Sequence, residues 1–250
     1  MGYVDKNRFD GDIYLGLPAS FNDKIIIRRI NLINQIQNFY GKDLDLVEVG
    51  CGNGATLLRV ADKFNSAIGY DISPLNQPEF ENNKKVLNIT NASFKLMDIE
   101  KQSNIKNQFD RLICFEVIEH LADDKNISKL FDMLKPGGKA AISVPNKWWV
   151  FETHGAKLPL LKWNRVPFFS WLPKPIHQKY SNARIYTKNR IIKLCTNAGF
   201  QIKDVKYVTA PMDVLSEGKL KDFLTSTIFK EDTTSIPMFS TSIFLHLEKP

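Results

Sequence analysis

The chain has little with which to cross-link itself. Its 250 residues contain three cysteines, Cys51, Cys114 and Cys195, an odd number set far apart with no C-x-x-C pair. That argues against a disulfide framework and a structural zinc and suits a reducing compartment. Long apolar runs are also missing, and none approaches the ~20 residues that span a bilayer. The opening MGYVDKNRFDGD lacks the apolar core of a secretory signal and carries Lys6 where a myristoylation signal needs Ser or Thr. A cytoplasmic protein is expected. Repeats and low-complexity tracts are absent too. With 43% apolar and 24% charged residues the composition is ordinary for a globular chain, which excludes a disordered tail and a fibre. The length suits a single α/β domain spanning 1–250 with one insertion.

Acids are scarce in one place. From Pro145 to Arg190 there are nine Lys and Arg residues and one acid, Glu152. That window's net +8 exceeds the whole chain's +7, so the remainder is close to neutral. All four tryptophans (Trp148, Trp149, Trp163 and Trp171) and five of the twelve prolines fall in the same window. It is chemically unlike its surroundings.

Elsewhere the pattern is regular. Apolar residues at helical spacing from Asn22 to Tyr40 predict a first helix, with Ser20 or Asn22 as N-cap and Gly41 as stop. This helix lies within an N-terminal cap over 1–43. Strands are predicted at Leu44–Gly50, Ala67–Asp71, Ser93–Asp98, Phe109–Glu116 and Gly138–Val144, with a helix at Ala55–Phe64. A helix capped by Thr187 and ended by Gly199 follows the basic window. After it come a strand near Phe200–Tyr207, a helical stretch within Pro211–Ile228 and a last strand in STSIFLHLEK. Strands alternating with helices imply a Rossmann-like, doubly wound sheet covered on both faces, with the insertion at 145–186 after the fifth strand.

The turn Glu48-Val49-Gly50-Cys51-Gly52-Asn53-Gly54 joins a strand to a helix, where small residues let a ligand approach the backbone. Gly50, Gly52 and Ala55 also satisfy the dinucleotide pattern G-x-G-x-x-A, so the turn alone does not choose a ligand. Asp71 ends the next strand about 20 residues on, the usual place for a carboxylate that accepts from ribose hydroxyls, and it disfavours a 2′-phosphate. Asp98 closes the third strand at the same sheet edge and could accept from an adenine amino group. A helix-capping role competes for each aspartate.

Taken in order, VEVGCGNG (47–54), GYD (69–71), MDIE (97–100), FDRLICFEVIEHL (109–121) and LKPGG (134–138) resemble the class I S-adenosylmethionine-dependent methyltransferases. The likeness covers roughly residues 44–145. It implies a seven-stranded sheet whose last strand is antiparallel, with S-adenosylmethionine as cofactor. Gly50 and Gly52 would approach its methionyl part, Asp71 its ribose, and Asp98 with Ile99 its adenine. Phe115 would line the side where the methyl group leaves, and Glu48 and Ile72 join the cofactor residues.

Methyl transfer is an in-line displacement at carbon already activated by a sulfonium, so the protein mainly aligns the acceptor, excludes water and, for an oxygen acceptor, takes up a proton. Histidine suits that last task. His120, at the mouth of the fourth strand, and His154, just past the fifth, are the candidate catalytic residues. His177 and Trp149 are candidate substrate contacts, and His246 is expected to be structural. Glu116, Glu119 and His120 could hold a divalent ion, although capping acids are the favoured interpretation and no metal is expected.

The aromatic and basic insertion suits an anionic membrane surface, a nucleic acid or a bulky apolar substrate. Ubiquinone-type O-methyltransferases are similar in the E-x-x-E-H segment and in a leucine-proline-lysine run ahead of a histidine, matched here by Leu172-Pro173-Lys174 and His177. The expected function is therefore methyl transfer, at oxygen, to a small or lipid-like acceptor, with 145–186 as its cover. The protein would be cytoplasmic, with peripheral membrane contact through 145–190. RNA methylation and a cofactor-binding pseudoenzyme are the alternatives.

Overall fold

The computed structural model describes residues 21–101, 105–155 and 165–250, with the backbone of Phe9–Asp10 and Ile13–Tyr14, which pair as a short hairpin. Ser20 and Trp163, named above, lie outside the described residues, as do Lys157 and Lys162 of the basic window.

The main strands are β1 (Gly41–Val49), β2 (Phe64–Asp71), β3 (Ala92–Leu96), β4 (Phe109–Phe115), β5 (Leu134–Pro145), β6 (Gln201–Thr209) and β7 (Ser240–Glu248). They lie side by side in the order β3-β2-β1-β4-β5-β7-β6, with the two-residue strand Thr233–Thr234 added on the β6 edge as an eighth. The pairs from β3 to β5 are parallel, whereas β7 runs antiparallel to both β5 and β6. The doubly wound sheet with a reversed last strand is thus as expected.

Alternation along the strands explains the two layers, because successive side chains point to opposite faces. Val47, Leu112, Cys114, Ile142 and Leu245 face one core with Leu130 and Met133 of α4 (Ser128–Met133) and Ile191 and Cys195 of α6 (Lys188–Asn197). Their neighbours Leu46, Ile113, Ala141 and Phe244 face the other. There they meet Leu32 and Ile33 of α1 (Lys24–Asn34), Leu57 and Leu58 of α2 (Leu57–Val60), and Phe80 of α3 (Gln77–Val86). A third, smaller cluster joins Trp149 to Ala210, Met212 and Phe229, tying the segment after β5 to the loops around α7 (Lys219–Ser226).

Several elements are shorter than the apolar spacing predicts. Helix α1 stops at Asn34, and a turn with Asn38 in the left-handed region (φ 54°) leads into β1. Ile36 and Phe39 remain buried through that turn, which is why the helical period seemed to continue. Gly41 therefore starts a strand instead of stopping a helix, and Asp23 occupies the N-cap position. Helix α2 gives way to a 3₁₀ turn at Ala61–Lys63, and β2 begins already at Phe64. Only Lys219–Ser226 of the stretch from Pro211 to Ile228 is helical. Thr187 does cap α6, accepting from the Arg190 amide at 3.3 Å.

Candidate active site

A cavity of about 500 Å³ opens where β1 and β4 part at their C-terminal ends, the point at which the strand order reverses. Open α/β sheets bind ligands there.

One half is built from the chain between Glu48 and Glu100. Gly50, Gly52 and Gly54 all have positive φ (74°, 51° and 83°), so the turn coils tightly as only glycine does without strain. A Cβ on Gly50 would come within 2.2 Å of Val117 Cγ2. The Gly50 and Cys51 amides donate to the Tyr70 carbonyl at 2.7 and 3.1 Å, stitching the turn to β2. Asp71, buried at the end of β2, accepts from the Gly52 amide at 2.8 Å through one oxygen. Its other oxygen accepts from the Ser73 amide at 2.8 Å and Asn76 Nδ2 at 3.1 Å. Asp98 accepts from the Glu100 amide at 2.9 Å and pairs with Lys101 at 3.1 Å. Both aspartates line the same cavity, with Gly50, Gly52, Ile72, Ile99, Met97 and Phe115. Glu48 lines it too. Burial, and then the Asp71 charge, push its carboxyl up to about 8, against a backbone hydrogen bond from Leu57 that pulls the other way. Among the described residues its buried Oε2 has no hydrogen-bond partner.

The other half is assembled from distant segments. Arg29 of α1 reaches Glu116 at 2.8 Å and lies over the Phe115 ring. Glu116, at positive φ (55°) just past β4, also accepts from Ser143 Oγ at 2.9 Å. His120 and His154 pack edge to face with ring centroids 5.1 Å apart, and both line the cavity. Beneath them the buried Glu119 approaches His154 Nε2 at 3.3 Å. Burial, and next the neighbouring Glu116, push the Glu119 carboxyl well up. Burial, aided by Arg184, pulls His120 down to about 4, and burial with the adjacent His120 pulls His154 well down, so both imidazoles are neutral at pH 7. Glu119, His120 and His154 each present a ligand atom, all within 4.8 Å of one another, a trio that could hold a divalent cation. Glu116, engaged by Arg29 and Ser143, is not in that set.

Trp149 lines the cavity, with Glu152, Thr153, Arg165, Pro211 and Asp213. His177 does not: it is buried behind Glu152, its Nε2 at 2.8 Å from Glu152 Oε2. His246 lies in β7, away from the cavity lining. The sequence reading missed Arg29 and Glu152. Two adjacent arginines directly after an Ile-Ile-Ile run, and a lone acid among nine cations, were the signals that could have found them.

The methyltransferase domain family model matches residues 23–205. A ubiquinone biosynthesis O-methyltransferase of Rickettsia bellii is 30% identical over 199 residues, 72% of this chain and 75% of that protein. Its counterpart in Pseudomonas fluorescens is 27% identical over 135 residues, and the match spans 52% of this chain and only 56% of the relative. Magnesium protoporphyrin IX methyltransferase from Synechocystis, crystallised with S-adenosylmethionine, superposes with a TM-score of 0.55 at 16% identity, over 92% of this chain and 80% of that one. The chain belongs to the class I S-adenosylmethionine-dependent methyltransferases, and S-adenosylmethionine is its cofactor.

Proposed function

We propose that this methyltransferase acts on a hydroxyl of a small or lipid-like acceptor, with the cofactor in the glycine-turn half of the cavity and the acceptor in the histidine half. The observation that carries this is that Asp71 and Asp98 share one cavity with His120 and His154. The unpartnered Glu48 Oε2 beside the turn fits a ligand that brings an ammonium group, as the methionyl end of the cofactor does. Gly50 and Gly52 would flank that end and Arg29 would face its carboxylate. Asp71 would take the ribose hydroxyls, Asp98 the adenine amino group, and Ile72 and Ile99 the faces of the ring. Bound there, the cofactor supplies a methyl carbon activated by its sulfonium.

In the acceptor half, His120 and His154 take up the proton. Neutral imidazoles with depressed basicity suffice, because the hydroxyl becomes strongly acidic as its oxygen bonds to the methyl carbon. Trp149 and the segment 145–186 serve as cover and 1–43 as the cap. A divalent cation held by Glu119, His120 and His154 would polarise an acceptor oxygen. Titration with Mn²⁺ tests that second reading.

The outer side of the cover supports peripheral membrane contact. Phe168, Trp171 and Trp148 pack edge to face, with Phe168 54% and Trp148 40% exposed, and Leu172 and Ile176 are exposed in the same stretch. Lys147, Lys174 and Lys179 belong to that stretch, a composition suited to an anionic lipid surface. Among the described residues no helix is long and apolar enough to cross a membrane.

Calorimetry should show S-adenosylhomocysteine binding to the wild type and none to Asp71→Ala. Undiminished binding by that variant would end the proposed placement.

A further inference from the structure

Among the described residues, Arg29 and Arg165 are the lysines and arginines that line the cavity, and they are held differently. Arg29 is buried and bonded to Glu116, whose side chain is mostly buried as well. Arg165 belongs to the cationic window 145–190, and no other described cation of that window lines the cavity. Lys174 and Lys179, on α5 (Lys174–Tyr180), are exposed. Arg184 is spent on the carbonyls of Glu119, Leu121 and Ala122, and Arg190 on Asp124. Arg165 meets only Asp213, through Nη1 at 2.8 Å, and the two side chains are 38% and 52% exposed. Among the described residues its Nε and Nη2 have no hydrogen-bond partner. The chain that carries it is tied to the wall holding Trp149 and His154, since the Phe168 amide donates to the Val150 carbonyl at 2.6 Å and Pro167 bridges to Phe151. Burial, then His120, Arg29 and Arg165, pull His154 down, so the Arg165 charge is felt where the acceptor hydroxyl is placed. An exposed ion pair contributes little, and Asp213 can return to water when a stronger partner arrives. A planar guanidinium matches two carboxylate or phosphate oxygens at once.

Resting on the acceptor placement above, we propose that Arg165 is the anion-recognising residue of the acceptor half: the acceptor carries a carboxylate or phosphate beside its reacting hydroxyl, and that group takes the guanidinium from Asp213. Held there, the anion fixes the reach of the hydroxyl toward the histidine pair, the alignment that an in-line transfer needs. Asp213 is the competitor that stands in the anion's place while the site is empty. The two partners of one ion pair therefore act on acceptor affinity with opposite signs. A neutral analogue leaves the pair intact and forgoes the anchor.

The test uses the full chain saturated with S-adenosylhomocysteine and three phenols of similar shape: 4-hydroxyphenylacetate, 4-hydroxybenzylphosphonate and the neutral 4-hydroxyphenylacetamide. By calorimetry the wild type should bind the anions about tenfold more tightly than the amide. The tighter anion identifies whether the acceptor's group is a carboxylate or a phosphate. Arg165→Gln should bring all three to within about twofold, and Arg165→Lys, which keeps the charge but loses the fork, should retain part of the preference. Asp213→Asn should raise affinity for the anions about threefold and leave the amide unchanged, because its carboxylate no longer competes. A pair that merely latches the cover to the loop after β6 would instead make both variants behave alike. Affinity for S-adenosylhomocysteine should stay within about twofold throughout, since these substitutions at an exposed pair leave the cofactor half untouched. A wild type that binds neither anion better than the amide, or an Asp213→Asn variant that binds the anions more weakly, would overturn the proposal. Failure of the wild type to bind S-adenosylhomocysteine would overturn the site placement on which it rests.

Discussion

The two halves of the cavity differ in how the chain makes them. The half we assign to the cofactor comes mostly from one continuous stretch, Glu48 to Glu100, and its two aspartates accept chiefly from backbone amides, of the glycine turn or two residues on. The acceptor half needs α1, the ends of β4 and β5, the insertion and the loop at Pro211–Asp213, and its groups are held by side chains such as Arg29, Glu119 and His177. Local backbone geometry gives a rigid site for a ligand that never varies. Distant side chains allow the acceptor to be changed without touching the first half.

Removing Arg29 should affect both halves at once, and so gives the largest effect. Arg29→Ala strands Glu116, whose side chain is 17% exposed, without its guanidinium partner. The expected loss is roughly 3 kcal/mol, read as a fall in Tm of roughly 10 °C, with at least tenfold weaker S-adenosylhomocysteine binding. A Tm within a degree or two of wild type would show that the halves are independent. Gly50→Ala tests the turn alone. An alanine at φ 74° with its Cβ 2.2 Å from Val117 should cost about 2 kcal/mol and weaken the cofactor, while leaving the His120–His154 pair in place. Equal stability by denaturant titration would mean that the turn yields.

The same contrast explains what could be read in advance. The strands, the glycine turn and the positions of Asp71 and Asp98 follow from period-two alternation and short-range spacing, which the chain writes locally. Helix ends were misread where buried residues continued past the helix, as at Ile36 and Phe39, because a tight turn can keep the same face inward. His120 and His154 were picked out one at a time, from their places beside strand ends. Their mutual packing, and the Glu119 beneath them, depend on how β4 and β5 lie side by side. His177 was assigned to the cavity, yet it stands behind Glu152, since a sequence shows which groups approach a site but not their order of depth.

Glu48→Gln should leave stability nearly intact and change the pH dependence of binding. With its carboxyl pushed up to about 8 by burial, Glu48 is protonated in the empty protein at neutral pH. An incoming ammonium favours the ionised form. Binding between about pH 5 and 8 should therefore release up to one proton, and affinity should rise with pH until about 8 and then level off. Because the folded value lies above the ordinary 4.5, the empty protein loses stability as pH rises over the same window, and the ligand restores it. Calorimetry in buffers of different ionisation enthalpy measures the released proton directly. A wild type that releases none would separate Glu48 from the ammonium.

The smallest effect on the folded protein is expected outside the cavity. Trp148 and Trp149 are neighbours in sequence with opposite fates: Trp149 is 4% exposed and walls the cavity, whereas Trp148 is 40% exposed and packs on Trp171. Phe168 holds a left-handed backbone (φ 61°) with its ring largely in water, a cost that burial does not offset. Such rings, packed edge to face with Leu172 and Ile176 close by in the chain, suit an acyl boundary better than stacked bases, which need an open ring face. The double variant Trp148→Ser, Trp171→Ser should change stability by no more than about 1 kcal/mol and leave S-adenosylhomocysteine binding unaltered. Its sedimentation with vesicles containing 30% phosphatidylserine should nevertheless fall several-fold relative to wild type, with little sedimentation of either protein on pure phosphatidylcholine. Equal sedimentation of both proteins would confine the tryptophan pair to packing, and salt-sensitive retention of wild type on single-stranded RNA in place of vesicles would reassign the outer face to nucleic acid.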